Sequence, residues 1–462
     1  MKKSISVVAL LFAASAAHAE DGILPMASKP EEVGLSSTQL KRVEEVTQKH
    51  IDEGLMPGAV MLVARRGKIA WMSVLGKRDV AAGDAMKYDS IFRIYSMTKP
   101  MVSVALMQMV EEGKLQVSDP VSKYLPEIGK MKVGIEKTVD GKPVLQLTDP
   151  DRPMTVQDLL RHTSGLTYGS RGTTLVNQAY VDAKIGDRTA TVEEMVHRLS
   201  TVPLKFSPGA RWEYGVSVDV QGRLIEVIDG KTLGEALSAR VLKPLGMVDS
   251  GFQVPADKVA RAAQPGPRPN GEPMTPRFAV NDGAKYESGG GGMISSMEDY
   301  LRFTAMLANK GVLAGKRLLG KQTMAFMTAD HTGNRPGRPP GLGFGLGFGF
   351  GCFGMHRRGY RGSGGFLGRR AGVAGQGGKE IAVFRPQLGI AAPGGTAAQL
   401  GGVQPAIAER LEKRPPGAID RIGVAQILGV EAFDEGSIGA EQKGCGIQNL
   451  VGGGSFGGPV FF

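Results

Sequence analysis

Residues 96–110 read Ser-Met-Thr-Lys-Pro-Met-Val-Ser-Val-Ala-Leu-Met-Gln-Met-Val, which places a serine and a lysine three positions apart at the start of an apolar segment. Positions i and i+3 of a helix share one face, so the Lys99 amine can reach the Ser96 hydroxyl. A serine hydroxyl is a poor nucleophile until a base takes its proton, and a lysine desolvated by burial can be that base. The apolar residues that follow predict a buried helix from Ser96 to Glu112. The simpler interpretation is a helix N-cap followed by a solvated lysine.

Length and composition describe a soluble globular protein. The chain has 462 residues, of which 42% are hydrophobic and 22% charged, enough for a large core in two interleaved lobes. Its formal charge is +11, but both signs are interspersed and no basic run or RNA-binding motif stands out, so nucleic-acid binding is not predicted. The two cysteines, Cys352 and Cys445, do not indicate a redox compartment.

The first 19 residues have the features of a secretory signal peptide. Lys2 and Lys3 precede an apolar run over residues 7–17, and Ala17-His18-Ala19 is a small-x-small cleavage site. The run is too short to span a membrane, and no later stretch is long and apolar enough to do so. We therefore expect cleavage after Ala19 and a periplasmic or secreted mature protein.

The periodicity along the chain predicts an α+β fold. An amphipathic helix is expected at 29–53, and a hairpin at 58–76 with its turn at Arg66-Gly67-Lys68. Residues 96 to about 280 are expected to form a mostly helical lobe with long connections. The predicted helices after the first two are 155–161, 191–200, 218–228, 233–242 and 296–309. Strands at both chain ends with helices between them predict an antiparallel sheet flanked by helices, plus the helical lobe.

The composition changes near Gly341. About a quarter of residues 351–462 are glycine, against roughly a tenth before them, and little of the segment has helix or strand periodicity. Such composition is typical of a disordered tail. The sequence thus divides into a signal peptide at 1–19, one hydrolase-like domain at 20–350 and a Gly/Arg-rich, aberrant or disordered tail at 351–462.

Several blocks of residues in the same order carry a family resemblance. The blocks are Phe92-Arg93-Ile94-Tyr95-Ser96-Met97-Thr98-Lys99-Pro100, Leu159-Leu160-Arg161-His162-Thr163-Ser164-Gly165-Leu166, Phe206-Ser207-Pro208-Gly209, Trp212-Glu213-Tyr214, Asp219-Val220-Gln221-Gly222, Leu245-Gly246-Met247 and Gly290-Gly291-Gly292-Met293-Ile294-Ser295-Ser296. With them the chain, from about Lys29 to Phe350, resembles the serine beta-lactamase-related family. The branch it resembles holds class C beta-lactamases, D,D-peptidases and family VIII carboxylesterases, which implies a beta-lactamase/transpeptidase-like fold.

The resemblance implies Ser96 as the acylating nucleophile, Lys99 as its base and Tyr214 as the tyrosine of the second motif. A tyrosine can move a proton between the serine and the leaving group if a nearby cation favours its phenolate. A buried aromatic side chain with a satisfied hydroxyl is the structural alternative for Tyr214. Class C beta-lactamases carry Tyr-x-Asn at this motif, whereas Val216 stands at the third position here, which favours ester hydrolysis over beta-lactam turnover. His162 is not expected to be catalytic, because a Ser-Lys system needs no histidine.

The third motif of the family, a late strand with Lys-Thr-Gly, His-x-Gly or Trp-Gly-Gly, is not found. His331-Thr332-Gly333 is followed by prolines and is predicted to be a loop after a helix that ends near Met327. Gly453-Gly454-Ser455-Phe456-Gly457 matches an esterase elbow in letters, but no room for its helix remains. Our hypothesis is a frame shift shortly after Phe350. Codons for Leu367-Gly368-Arg369-Arg370, read one base later, can encode Trp-Gly-Gly, and 380–384 is again strand-like; the coding DNA tests this. The C-terminal strands of the sheet are expected to be missing or garbled.

The sequence therefore predicts an exported serine hydrolase that cleaves small esters through an acyl-enzyme on Ser96, with Lys99 and Tyr214 moving protons. The alternatives are a beta-lactamase or D-alanyl-D-alanine peptidase, and an inactive or penicillin-recognising relative. No metal or cofactor is predicted, because Ser-x-x-Lys chemistry requires none and no ligand cluster is evident. The expected partner is a small ester or acyl substrate.

Overall fold

The computed structural model describes residues 23–267, 271–333 and 335–337, and the backbone of one strand at 424–429. The helices are α1 (Ser37–Asp52), α2 (Thr98–Glu111), α3 (Val156–Leu160), α4 (Leu175–Asp182), α5 (Val192–Leu199), α6 (Ser217–Asp229), α7 (Leu233–Leu237), α8 (Lys243–Leu245), α9 (Met297–Ala308) and α10 (Lys321–Met327). The strands are β1 (Gly58–Arg65), β2 (Lys68–Asp79), β3 (Asp84–Ala85), β4 (Ile91–Arg93), β5 (Val133–Val139), β6 (Lys142–Thr148), β7 (Ile294–Ser296), β8 (Val312–Leu313), β9 (Lys316–Arg317) and β10 (Val424–Gly429).

The main sheet is antiparallel in the order β10-β1-β2-β3. The predicted hairpin is confirmed as β1 and β2, with an irregularity at Val63/Ala64. β1 is buried along seven of its eight residues, as expected for a strand covered on both faces. Met56, Ala59 and Met61 pack on one side against Val43 and Ile51 of α1. Strands from both ends of the described chain thus form one sheet, as predicted.

The apolar helix α2 runs through the largest hydrophobic core cluster. Eleven of its 14 residues are buried. Helices α6 and α7 pack against α2, and α3 and α5 pack against α6. The predicted helix over 96–112 forms, except that its first turn is a tighter 3-10 turn at Tyr95–Met97. The helical lobe therefore packs around α2, which carries Lys99 and directly follows the turn with Ser96.

A short pair of strands joins distant parts of the chain at the start of α2. Strand β4 pairs antiparallel with β7, so that Phe92 lies opposite Ser295. Beyond the strands, the Ile94 N–H donates to the Met293 carbonyl at 3.0 Å, and the Met293 N–H donates to Thr98 Oγ1 at 3.2 Å. These bonds fix the glycine run before β7 against the Ser96 turn.

The structure corrects two predicted elements and adds one that was not expected. The helix expected at 29–53 is a 3-10 turn at Pro30–Val33 followed by α1, because Gly34 adopts a left-handed φ of 74° and ends the first turn. The segment expected to be helical at 233–242 is α7 followed by a π turn at Ser238–Leu242. The lobe also contains a hairpin, β5–β6, that was not expected.

Strand β10 comes from the segment for which strands were expected to be missing or garbled. Its backbone pairs antiparallel with β1, from Ala59 opposite Gly429 to Ala64 opposite Val424. The proposed signal peptide, residues 367–370, the strand-like stretch at 380–384 and the Gly453–Gly457 match lie outside the described residues. Within the described ranges, no helix combines the length and apolarity needed to cross a membrane.

Asp158 is a buried carboxylate that holds the loop after α3. It is fully buried, forms a capping box with Thr155, and accepts from Thr163 Oγ1 at 2.7 Å. Arg152 and Arg161 both form ion pairs with it. Burial opposes the charge, but these donors together lower the pKa of Asp158 to about 2. The loop that begins at His162 is therefore fixed by a charge cluster in addition to apolar packing.

We predict that Asp158→Asn lowers the free energy of unfolding by at least about 2 kcal/mol at pH 7, because it leaves two arginines beside a neutral group. Since the folded-state pKa is depressed, this stabilisation is present above the unfolded pKa and is lost as the pH falls toward 2. Denaturant unfolding at pH 7 and pH 3 measures both effects. Asp149→Asn, which alters an exposed pair with Lys132, is the matched control and should be neutral. Equal losses in the two variants would contradict the assignment.

Candidate active site

Ser96, Lys99 and Tyr214 meet at the start of α2. Lys99 Nζ lies 3.2 Å from Ser96 Oγ, and the Tyr214 hydroxyl donates to the same oxygen at 2.7 Å. Ser96 is half-buried, whereas Lys99 and Tyr214 are buried. Two of the groups predicted from the sequence, Lys99 Nζ and the Tyr214 hydroxyl, are thus within hydrogen-bond distance of the oxygen of the third, Ser96. The interpretation of Lys99 as a solvated surface lysine is wrong.

The backbone before the serine adopts a rare conformation. Tyr95 has a φ of 41°, in the left-handed region that non-glycine residues seldom occupy. Its ring packs edge-on against Phe278, with centroids 5.8 Å apart. The turn is further fixed by the Met97 carbonyl, which accepts from the Tyr300 hydroxyl at 3.0 Å. Strain of this kind persists only where the surrounding structure enforces it, and here it orients the Ser96 side chain.

Lys99 is the most deeply buried charged group of the site, with a side chain 1% exposed. Its amine donates to the Tyr168 hydroxyl at 3.3 Å and to the Gly290 carbonyl. Burial lowers the pKa of Lys99 to about 7, an effect that Asp219 opposes and that Arg277 and Arg171 reinforce. Near neutral pH a large share of Lys99 is therefore the free amine, the form that accepts a proton.

Tyr214 lies between two cations and a group of aromatic rings. Lys99 Nζ is 4.5 Å from its ring centroid, and the Arg171 guanidinium carbon is 5.4 Å from it. Trp212 stacks on it at 6.2 Å and Tyr168 meets it edge-on at 5.6 Å. Tyr214 is therefore in contact with both Lys99, the candidate base, and the Arg171 cation.

His162 supports Tyr214 from behind. Its ring lies 5.0 Å from the Tyr214 ring, is completely buried, and makes no hydrogen bond within the described part of the chain. Burial holds the pKa of His162 well below its ordinary value, so the ring is neutral. Its backbone carbonyl accepts from the Glu213 N–H at 2.9 Å. These contacts hold the Tyr214 segment in place and are consistent with the expectation that His162 is not catalytic.

Two further residues of the site, Tyr168 and Asp219, were not assigned from the sequence. Tyr168 contacts the Lys99 amine directly, as described above. Asp219 lies in the first turn of α6 and accepts from the Tyr286 hydroxyl, Ser288 Oγ and the Gly290 N–H. Asp219 lies inside a quoted motif block and Tyr168 lies two residues after one, but no spacing rule connects either residue with Ser96. Only the packing of α6 and the glycine run against α2 brings them together.

Two other sequence features are placed by the structure. Val216 is buried at the start of α6 and offers no amide at the position where class C beta-lactamases have asparagine. His331-Thr332-Gly333 is the predicted loop after α10: His331 contacts Phe326, and the N–H groups of Thr332 and Gly333 donate to Asp330 Oδ1. Beyond it, the Pro336 carbonyl accepts from the Trp212 N–H at 2.9 Å. Within the described ranges, no group of three or more His, Cys, Asp or Glu side chains is arranged to hold a metal ion.

Comparison with known proteins places this chain in a family. The family model described as Beta-lactamase matches residues 43–392. Protein Rv1367c of Mycobacterium tuberculosis is 36% identical over 285 residues, covering 60% of this chain and 69% of that protein. Esterase EstB of Burkholderia gladioli is 33% identical over 293 residues, covering 59% and 71%. The solved structure of EstCE1, a hydrolase with promiscuous acyltransferase activity, superposes with a TM-score of 0.54 at 28% identity, covering 67% of this chain and 82% of that one.

The antiparallel sheet, the surrounding helices and these similarities define a serine hydrolase of the beta-lactamase/transpeptidase-like fold. The chain belongs to the beta-lactamase family, since the family model matches well over half of it. The predictions of the family, of the α+β fold and of a serine hydrolase are confirmed.

We predict that the free energy of unfolding rises by about 2 kcal/mol between pH 7 and pH 9 and that Lys99→Met removes most of this rise. In this range an unfolded lysine holds a proton, whereas the folded-state pKa near 7 leaves Lys99 neutral. The unfolded chain therefore binds more protons, so stability increases with pH. Denaturant unfolding of both proteins at the two pH values gives the comparison.

Lys137→Met changes an exposed lysine of β5 and is the matched control, expected to keep the pH dependence of the unaltered chain. A Lys99→Met protein whose stability still rises by the same amount would show that the buried amine titrates normally.

Proposed function

We propose that this chain is an exported serine hydrolase that cleaves small esters through an acyl-enzyme on Ser96. The observation that carries the proposal is that Ser96 Oγ, on a half-buried residue, lies within hydrogen-bond distance of both Lys99 Nζ and the Tyr214 hydroxyl. A nucleophile and base at this separation is the arrangement that activates a serine. The low pKa of Lys99 supports it, because a base works best when its pKa is near the working pH.

In acylation, Ser96 Oγ attacks the ester carbonyl carbon while its proton passes to the Lys99 amine. The tetrahedral intermediate then collapses as the carbon–oxygen bond to the alcohol breaks. Tyr214 gives its proton to the leaving oxygen, and the resulting phenolate is stabilised by Lys99, now an ammonium, and by Arg171. The products of this half-reaction are the free alcohol and an ester on Ser96.

Deacylation reverses the proton transfers with water in place of the alcohol. The Tyr214 phenolate takes a proton from water, whose oxygen attacks the acyl carbon. The bond to Ser96 Oγ breaks, and the Lys99 ammonium returns its proton to that oxygen. The enzyme regains its starting protonation state, and the acid leaves.

Two observations favour esters as the substrate class. The relatives include Esterase EstB and a Lovastatin esterase from Penicillium rubens. Val216 also lacks the amide that, by family resemblance, holds the side-chain amide of a beta-lactam. Hydrolysis of beta-lactams or D-alanyl peptides is the second candidate function. In the family that the chain resembles, the Ser-Lys-Tyr group serves these reactions as well as ester hydrolysis.

Export and the third motif rest on sequence outside the described residues. Residues 1–19 carry the proposed signal peptide, and a mature protein whose measured mass corresponds to a start at Glu20 would support it. The family match continues past Phe350 to residue 392 and includes Leu367-Gly368-Arg369-Arg370. The proposal of a third-motif strand near residue 368 in another reading frame rests on the sequence of this segment, and the coding DNA decides it.

We predict that Ser96→Ala abolishes turnover of a short-chain nitrophenyl ester and that Tyr214→Phe lowers kcat by about 10²- to 10⁴-fold, the range for loss of a proton-transferring group. Phenylalanine keeps the ring packing against His162 and Trp212, so its unfolding midpoint should stay close to that of the unaltered chain. Steady-state kinetics and thermal unfolding of both variants provide the check.

Ser37→Ala, at an exposed serine of α1, is the matched control and should retain full activity. Unchanged hydrolysis by a folded Ser96→Ala protein would refute the assignment. Stoichiometric labelling of Ser96 by a fluorophosphonate without ester turnover would instead favour a non-hydrolytic, penicillin-recognising relative.

We also predict that the nitrophenyl ester is turned over at least about 100-fold faster, in kcat/KM, than a chromogenic cephalosporin. Val216 has no side-chain amide that could hydrogen-bond the side-chain amide of the cephalosporin. A buried polar group left without a partner costs enough free energy to give this discrimination. Val216→Asn is expected to narrow the ratio by improving the cephalosporin reaction. A cephalosporin rate equal to or above the ester rate would favour the beta-lactamase reading.

A further inference from the structure

Asp219 is a buried carboxylate that no step of the proposed chemistry uses. Asp219 is only 2% exposed. In the part of the chain that the structure describes, no lysine or arginine forms an ion pair with its carboxylate. A buried charge without an adjacent counter-ion is costly unless donors solvate it. Because burying the Asp219 carboxylate is costly in free energy, we expect it to have a role in the active site.

Three donors converge on one oxygen of this carboxylate. Asp219 Oδ1 accepts from the Tyr286 hydroxyl at 2.8 Å, from Ser288 Oγ at 2.6 Å and from the Gly290 N–H at 3.0 Å. All three come from the segment that precedes β7. The carboxylate therefore fixes the conformation of residues 286–290 from the first turn of α6.

The same segment contacts the buried amine. The Gly290 carbonyl accepts from Lys99 Nζ, while the Gly290 N–H donates to Asp219. A Cβ at position 290 would lie 2.3 Å from Asp219 Oδ2, so only glycine allows this approach. The backbone of Gly290 therefore connects the Asp219 carboxylate with the Lys99 amine.

We propose that Asp219 is a positioning residue that orients the Lys99 amine toward Ser96 through Gly290 and sets the pH at which that amine is free. The inference deepens the proposed function and rests on it for the role of Lys99 as a base. The hydrogen bonds of Asp219 go to Tyr286, Ser288 and Gly290 and not to Ser96, so it acts through Lys99.

The electrostatics around Lys99 give the direction of the effect. Asp219 raises the pKa of Lys99, whereas burial and the cations Arg277 and Arg171 lower it. Burial raises the pKa of Tyr286 well above its ordinary value, so that phenol stays a donor to Asp219. The titratable and charged side chains around the amine are Asp219, Arg171, Arg277, Tyr168, Tyr214 and the neutral His162. Among them Asp219 is the one carboxylate in the described structure.

The experiment measures the pKa of Lys99 directly, by NMR titration of the full chain with labelled lysine side chains, using Lys99→Met to assign the signal. In Asp219→Asn we expect the pKa of Lys99 to fall by about one unit, because an attractive charge is lost. In Tyr286→Phe we expect it to rise, because the carboxylate loses a donor and becomes a stronger source of negative potential. Opposite shifts in two variants are not produced by general loosening of the site.

Kinetics supply the second readout. The rate of Ser96 labelling by a fluorophosphonate should follow the same shifts in its pH midpoint, and the plateau rate in Asp219→Asn should fall about 10- to 100-fold as the amine loses its orientation. Asp229→Asn, which removes a carboxylate from the other end of α6, is the matched control and should change neither quantity.

The outcomes separate the two proposals. An unaltered chain that neither hydrolyses esters nor labels at Ser96 would refute the proposed function, while shifts in the Lys99 pKa would still establish the placement of Asp219. If neither Asp219→Asn nor Tyr286→Phe moves the pKa of Lys99, the positioning role is overturned. Should Asp219→Asn fail to fold, Tyr286→Phe alone decides, and a fall or no change in the Lys99 pKa contradicts the inference.

Discussion

The site depends on keeping the Lys99 amine out of water beside Ser96. A lysine at the surface would be an ammonium at neutral pH and would have no lone pair for the serine proton. The apolar helix α2 provides the burial, and the residues around the amine replace its lost hydration with three oxygen acceptors from Ser96, Tyr168 and Gly290. An amine placed this way reduces stability, as is common for groups at functional sites, and in the proposed function it activates the Ser96 hydroxyl.

The remaining parts of the structure position the groups around that amine. The His162 loop braces the segment with Tyr214 through its backbone carbonyl and its ring, and Asp158 holds the loop in turn. The pairing of β4 with β7 places the glycine run next to the Ser96 turn. Each of the three contacts of the amine therefore comes from a different part of the chain, and packing against α2 unites them.

The sequence was informative where the signal was local. The Ser96 and Lys99 pair lies on one helical turn, so spacing and apolar periodicity sufficed to predict the helix and the contact between its side chains. The hairpin β5–β6 carried a local signal too, since Asp140-Gly141 is a dipeptide typical of a two-residue hairpin turn, and both residues adopt the positive φ that such a turn requires. Asp219 and Tyr168 had no such signal, because their place near Lys99 depends on contacts between distant segments. The break at Gly34 was missed because periodicity does not register a single left-handed residue.

The pairing of Ile91 with Ser296 also bears on how the protein folds. Closing a loop of this size costs entropy that local contacts cannot offset, and folds rich in such non-local pairs form slowly. A nascent chain that has emerged only as far as the middle of the helical lobe lacks Gly290, whose carbonyl accepts the hydrogen bond from the Lys99 amine. The enzyme's reactive centre is therefore expected to be among the last features to mature, after most of the hydrophobic collapse has taken place.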